Sequence, residues 1–215
     1  MLKKTVGILG GMGPEATVDF MHRIIKAVPA EDDRDHIRMI VDNNPQVPSR
    51  IEALIEGSGE SPAPCLREMA RKLEAWGADF LAMPCNTAHY YHREVQEAVS
   101  IPLLNMIQLA VDEIALKFPG LERVGLLAST AVHRLGLYTK PFADRGMEVT
   151  APGDSLQEGV LAAIRRIKSG CFGREVMEAL QAATKELADR GAGALLVAWT
   201  ELSVVDRNPA VGLAG

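Results

Sequence analysis

The sequence has little of what marks membrane, nucleic-acid-binding or disulfide-rich proteins. No apolar run approaches the ~20 residues that a membrane-spanning helix needs. The net charge of -5 disfavours a nucleic-acid surface, which requires clustered positive charge. The three cysteines are an odd number without metal-ligand spacing, so neither a disulfide framework nor a zinc site is indicated. We therefore expect a globular protein of the reducing cytoplasm, without a nucleic-acid or membrane partner.

The rest of the composition is that of an ordinary folded chain. Hydrophobic residues make up 47% and charged residues 24% of the sequence. A length of 215 residues suits one large domain or two small ones. The start, MLKKTVGILGG, leads directly into a glycine loop, so we interpret it as a first strand and not as a signal peptide.

The most informative segment is GADFLAMPCNTAH, residues 77–89. Its apolar residues 80–83 predict a short buried strand, which the chain leaves through Pro84 and Cys85 toward a helix. In an open α/β sheet, ligands bind at the carboxyl ends of the strands. A helix amino terminus beside Cys85 would stabilise its thiolate. We interpret Cys85 as the chemical centre, and the structural alternative is a packed thiol.

A second segment, GAGALLVAWTE, repeats this design from Gly191. Aligning Gly77 with Gly191 brings Cys85 onto Trp199. The other pairs in this alignment are Ala78 with Ala192, Leu81 with Leu195, Thr87 with Glu201, Leu66 with Leu180, and Leu73 with Leu187. The first predicted strands of the two halves are also alike, since VGILGGMG from Val6 resembles VGLLASTA from Val124. An internal repeat of this length predicts two related α/β halves.

A glycine-rich turn follows the first predicted strand, residues 5–9. Gly11, Gly13 and Ala16 match the G-x-G-x-x-G/A fingerprint of dinucleotide sites. The same turn can bind a small carboxylate through its N–H groups, or serve only as a tight turn. The second predicted strand ends in DNNPQVPSR, where Arg50 has the planar fork that clamps carboxylates. The alternative for Arg50 is a plain surface position.

Other residues also have competing interpretations. Lys168 ends a predicted helix, where a cation complements the helix dipole, and this structural role competes with substrate binding. His89 and His92 lie three residues apart, but no further ligand accompanies them, so we predict no metal site. A single helix is predicted over residues 136–145.

Together these motifs resemble the cofactor-independent aspartate/glutamate racemase family, part of the Asp/Glu/hydantoin racemase superfamily. The likeness runs from Val6 to about Val205. It depends on the segments LGGMGPEAT, NNPQVPSR, MPCNTAH, IKSG and WTEL, in that order. The resemblance implies two pseudo-symmetric α/β domains with parallel sheets, residues 1–104 and 105–215. It places the active site in the cleft between them and implies a homodimer.

The resemblance also implies a mechanism and a set of site residues. One thiol from each half faces the substrate α-carbon, so that one removes the proton and the other returns it, without a cofactor or a metal. Cys85 matches the first thiol. Because an amino-acid α-proton is very weakly acidic, the site must also stabilise the developing carbanion. The residues that the resemblance places around the substrate are Gly11, Met12, Arg50, Asn86, Thr87, Lys168 and Thr200.

Trp199 is the main departure from the family pattern, which has cysteine there in a segment reading CTE. Indole has only an N–H donor and cannot replace a thiol in acid–base work. We also predict that its bulk intrudes on a small site. Val132 stands where the family commonly has threonine.

Three functions therefore remain open. The first is a racemase of aspartate, glutamate or a similar amino acid. The second is a one-sided isomerase or decarboxylase of a related diacid that uses Cys85 alone. The third is a noncatalytic homologue that binds a small carboxylate.

Overall fold

The computed structural model describes residues 4–168 and 173–199, and the Lys168 side chain lies outside that description. The chain divides into two compact units, with the boundary between Met106 and Ile107. Each unit contains a three-stranded parallel sheet with helices around it. The predicted α/β fold with parallel sheets is confirmed.

Strands and helices alternate along both units, as parallel sheets require. The strands are β1 (Thr5–Gly10), β2 (Arg38–Asn43), β3 (Phe80–Ala82), β4 (Arg123–Ala128), β5 (Glu148–Thr150) and β6 (Ala194–Ala198). The α-helices are α1 (Pro14–Ala27), α2 (Ala63–Ala75), α3 (His92–Gln96), α4 (Met106–Lys117), α5 (Thr130–Arg134), α6 (Thr139–Ala143), α7 (Asp154–Lys168) and α8 (Arg174–Asp189). Turns of 3-10 helix cover Asp33–Asp35 and Thr87–Tyr91, and a π-helical turn covers Glu52–Glu56.

The two sheets have the same strand order, β2-β1-β3 in the first unit and β5-β4-β6 in the second. The central strands β1 and β4 are buried almost throughout. A strand covered on both faces needs a continuous apolar run, and VGIL in β1 and VGLL in β4 provide one. The shared strand order of the two sheets therefore agrees with the repeat in the sequence.

Two glycines show how closely the halves correspond. Gly7 lies in β1 and Gly125 lies at the matching place in β4, and an added Cβ at either would press on three side chains of its own unit. For Gly7 these are Leu81, Ala78 and Leu73, at 2.7, 2.9 and 3.1 Å, and for Gly125 they are Leu195, Leu187 and Ala192, at 2.6, 3.1 and 3.2 Å. These are the residues that the sequence alignment paired, so the internal repeat is confirmed.

Gly7→Ala is expected to lower the free energy of unfolding by about 2 kcal/mol, because the new methyl group overpacks a filled core. Urea denaturation measures the change. Gly159→Ala in α7 is the matched control, since its Cβ would meet only Ala179 Cβ at 3.8 Å and alanine favours the helix by roughly 1 kcal/mol. A Gly7→Ala protein as stable as the unmodified chain would contradict this account of the repeat.

One predicted helix is shorter than expected. The helix expected over residues 136–145 is α6, Thr139–Ala143, and a further short helix, α5, precedes it, with Gly136 between them at a φ of 61°. Glycine adopts this left-handed conformation without a steric penalty, which separates the two helical segments. None of the helices in the described residues is both long and apolar enough to cross a membrane.

Candidate functional site

Three loops begin side by side at the carboxyl edge of the first sheet, because the strands β1, β2 and β3 are in register. Ile8 in the centre of β1 pairs with Val41 of β2 and with Ala82 of β3. The residues three positions beyond this level are Gly11, Asn44 and Cys85. Because parallel strands end at the same edge, the loops that follow them are neighbours. This edge is the candidate site of the first unit.

The loops after β1 and β2 touch at Gly11. A Cβ added there would overlap the backbone carbonyl group of Asn44, and Gly11 has a φ of 91°. The Gly11 N–H donates to Thr17 Oγ1 at 2.9 Å, and that hydroxyl donates to the Gly13 carbonyl at 3.0 Å. The structure thus engages the Gly11 N–H inside the turn, and the carboxylate interpretation of this loop stays a prediction. Glycine is needed here for close approach and backbone conformation.

The Asn44 side chain extends from this contact toward α2. Its Nδ2 lies 3.5 Å from Cys65 Sγ and 3.8 Å from Met69 Sδ. Burial, followed by the negative charge of Glu68, raises the pKa of the Cys65 thiol. A raised pKa makes the Cys65 thiol a weaker candidate for a base at neutral pH.

Cys85 lies where the three loops meet. It is 6% exposed, and its N–H donates to the Met83 carbonyl at 2.8 Å in a tight turn. Met12 from the first loop and Val47 from the second belong to the same hydrophobic cluster as Cys85. The helix expected directly after the strand is a 3-10 turn, Thr87–Tyr91, that leads into α3.

Arg50 provides positive charge at the same edge. Its Nη1 donates to the carbonyls of Val47 and Pro48 at 3.3 and 3.1 Å. Burial raises the pKa of Tyr91, while a hydrogen bond with Ser61 and the charge of Arg50 act against that rise. Within the part of the chain that the structure describes, no carboxylate forms a salt bridge with Arg50.

The site residues predicted in the first unit all lie in the segments that follow β1, β2 and β3, with Arg50 at the start of a helical turn. Asn86 is buried, and Thr87 is half-buried and begins the 3-10 turn. The six residues are Gly11, Met12, Arg50, Cys85, Asn86 and Thr87. Their contacts with a substrate stay predictions.

In the second unit the structure places Trp199 in a core. Its side chain is 8% exposed and packs in the hydrophobic cluster beneath α7 and α8, with Leu127, Ile164 and Leu187. The predicted intrusion of the indole on the site stays a prediction. Its neighbour Ala198 packs in the cluster on the other face of the sheet, as the twofold alternation of a strand requires.

The other site residues predicted in the second unit are Lys168 and Thr200. Thr200 and the Lys168 side chain lie outside the described residues, as does Cys171. Val132, which stands where a threonine was expected, is 1% exposed and part of the core that contains α5 and α6.

Sequence reasoning missed the role of the two histidines. His89 Nδ1 lies 2.8 Å from the Cys85 carbonyl oxygen, and its Nε2 accepts from the Met106 N–H at 3.1 Å. His92 Nε2 lies 3.0 Å from the Leu103 carbonyl oxygen. All three of these ring nitrogens form hydrogen bonds with backbone groups. The signal in the sequence was the place of His89, four residues after Cys85.

Comparison with known proteins agrees with this architecture. The sequence model of the Asp/Glu/Hydantoin racemase family matches residues 9–210. The chain belongs to this racemase family. It is 31% identical over 204 residues to the broad specificity amino-acid racemase RacX of Bacillus subtilis (strain 168), covering 93% of this chain and 86% of that protein. By family the protein is an amino-acid racemase, which is an isomerase, and the predicted resemblance is confirmed.

Solved racemase structures share the fold. The Picrophilus torridus aspartate racemase superposes with a TM-score of 0.77 at 34% identity, over 94% of this chain and 83% of that one. An aspartate racemase homologue from Pyrococcus horikoshii OT3 superposes with a TM-score of 0.73 at 22% identity, over 98% and 89% of the two chains. The second likeness shows the fold alone.

Proposed function

We propose that this racemase inverts aspartate, glutamate or a related amino acid without a cofactor, and that the Cys85 thiolate removes the α-proton. The observation that carries the proposal is the position of Cys85, which is buried at the carboxyl edge of the first sheet in one cluster with Val47, whose carbonyl accepts a hydrogen bond from Arg50. A base in a water-poor site with a fixed positive charge suits the abstraction of a weakly acidic proton.

The proposed step keeps its atoms and charge in balance. The Cys85 thiolate forms an S–H bond as the substrate Cα–H bond breaks, and the electron pair delocalises into the adjacent carboxylate. Arg50 has guanidinium donors beyond the two carbonyls that hold Nη1, and these suit a carboxylate that gains negative charge. Inversion is completed when an acid returns a proton to the opposite face of the carbanion.

Two similar relatives point to different breadths of substrate. RacX is named for broad specificity and the Picrophilus torridus enzyme for aspartate, and their identities to this chain, 31% and 34%, are nearly equal. Asn86 and Thr87, which follow Cys85 directly, are proposed to bind the α-carboxylate. Lys168 and Thr200 enter the proposal from the sequence resemblance alone.

A one-sided reaction is the second candidate, because Trp199 is packed in the core of its unit and has no acidic group to offer. With Cys85 as the working group, a proton would leave and return on one face. Decarboxylation or isomerisation of a related diacid would fit the same arrangement.

Proton NMR in deuterated water distinguishes the candidates when it is combined with chiral chromatography of the product. We expect the α-proton signal of L-aspartate to disappear and D-aspartate to form, with the reverse conversion from D-aspartate. Glutamate and neutral amino acids in the same assay define the substrate range. Exchange with retained configuration would support the one-sided reaction instead. No exchange with any of these amino acids would contradict the racemase proposal.

A further inference from the structure

His89 connects the proposed base to another part of the first unit. The residue is 5% exposed, and its ring lies between the carbonyl of Cys85 and the N–H of Met106. Met106 is the first residue of α4, whose first N–H groups have no partner within the helix. One imidazole thus satisfies a carbonyl at the chemical centre and an amide at the start of the next helix.

The two hydrogen bonds fix the protonation state of His89. A backbone N–H can only donate, so Nε2 must accept from Met106 and carries no hydrogen. The hydrogen of the neutral ring is then on Nδ1, where it donates to the Cys85 carbonyl oxygen at 2.8 Å. The positive end of the α4 dipole lies at the same place and disfavours a second proton on the ring.

Burial acts in the same direction. It lowers the pKa of His89, and the nearby His92 ring contributes to that shift, while the carbonyls of Cys85 and Leu104 oppose it. The rings of His89 and His92 stack with their centroids 5.9 Å apart, and His92 is itself tied to the Leu103 carbonyl. Because both of its ring nitrogens bond to backbone groups, the buried imidazole is held in place as a support.

We propose that His89 is a positioning residue for Cys85, an inference that rests on the proposed function of Cys85. Its Nδ1–H holds the peptide group that carries the thiol, and its Nε2 anchors the ring on the Met106 amide. Without the Nδ1 bond the Cys85 carbonyl would lose a buried partner and the tight turn around the thiol would relax. A small displacement of a reacting group lowers the rate strongly even when substrate still binds.

Two variants separate the two hydrogen bonds. In His89→Asn the amide nitrogen takes about the place of Nδ1, so it keeps the bond to the Cys85 carbonyl and loses the one to Met106. In His89→Gln the amide oxygen reaches about as far as Nε2. This variant therefore keeps the hydrogen bond from the Met106 N–H and loses the one to the Cys85 carbonyl. His92→Ala is the matched control, since it removes a neighbouring imidazole-to-backbone bond that does not involve Cys85.

We expect His89→Gln to lower kcat about tenfold or more with KM nearly unchanged, and His89→Asn to retain most of kcat. The melting temperatures of the two variants report their stability separately. Should both lose kcat in proportion to stability, or should the asparagine variant be the less active one, the positioning role would be overturned.

Alkylation of Cys85 tests the same inference without any substrate. Iodoacetamide is applied across a pH series, and mass spectrometry of the Cys85 peptide gives the rate for that thiol alone. We expect the rate or its pH midpoint to change in His89→Gln and to stay near that of the unmodified protein in His89→Asn and His92→Ala. Equal profiles in all four proteins would contradict the inference. If the unmodified protein has no racemase activity but the variants show these differences in Cys85 alkylation, the proposed function is contradicted and the positioning role of His89 is supported.

Discussion

Cys85→Ala is expected to lower the rate of α-proton exchange about a thousandfold, the contribution of a well-placed general base. Alanine removes the sulfur atom and keeps the two backbone hydrogen bonds of the turn, which use the Cys85 N–H and the Cys85 carbonyl. Deuterium incorporation at the α-carbon measures the loss directly. The folded fraction is checked by circular dichroism.

Two further variants sharpen that result. Cys85→Ser keeps a polar atom in the place of the sulfur, but a hydroxyl is far less acidic than a thiol, so the exchange rate is expected to stay low. Cys65→Ala is the matched control, because this thiol is carried by α2 and lies against Asn44, and burial raises its pKa. If Cys85→Ala exchanges the α-proton as fast as the unmodified enzyme, the base must be sought elsewhere.

The repeat explains how much of the fold the sequence could predict. The pairing of Leu81 with Leu195 rests on the amino-acid pattern alone, and the structure places these residues against equivalent glycines, Gly7 and Gly125. Buried parallel strands leave a strong local signal because both faces must be apolar. Cys85 could also be placed at a strand end, since the strand before it is short and followed by proline.

What the sequence could not give were the side-chain contacts made across loops. The engagement of the Gly11 N–H by Thr17 depends on how a helix turns back on its own loop. The clamp formed by His89 joins residues 4 and 17 positions away, and only coordinates show that both partners are backbone groups. Periodicity carries no information on such contacts, because it reports which face is apolar and not which polar atoms meet.

The packing of Trp199 is another contact that the sequence pattern does not predict. Chemistry alone identified the indole as a group that cannot replace a thiol. The direction of the indole depends on the alternation of side chains along β6 and the residue after it. Ala198 packs in one core cluster and Trp199 packs in the other. Within its own unit the indole is a large part of the core beneath α7 and α8.

Trp199→Cys is accordingly expected to lower the free energy of unfolding of the second unit by about 3 kcal/mol, because replacing a buried tryptophan with a small side chain leaves a cavity. Urea denaturation followed by circular dichroism measures the loss. Trp199→Phe is the matched control, since a ring that refills much of the space should recover most of the stability. A cysteine variant as stable as the unmodified protein would mean that the indole does not support this core.

The same Trp199→Cys variant tests whether the second half retains the rest of a catalytic site. The repeat places residue 199 at the position of Cys85, and both belong to the cluster on the equivalent face of their sheet. If a thiol there supplies the missing acid, the folded fraction should gain inversion relative to exchange, measured as the ratio of D-aspartate formed to deuterium incorporated from L-aspartate. Trp199→Phe should leave that ratio unchanged, because it restores packing without a thiol. A folded cysteine variant that exchanges the α-proton but gains no inversion would show that the lost cysteine was not the only missing part of the second face.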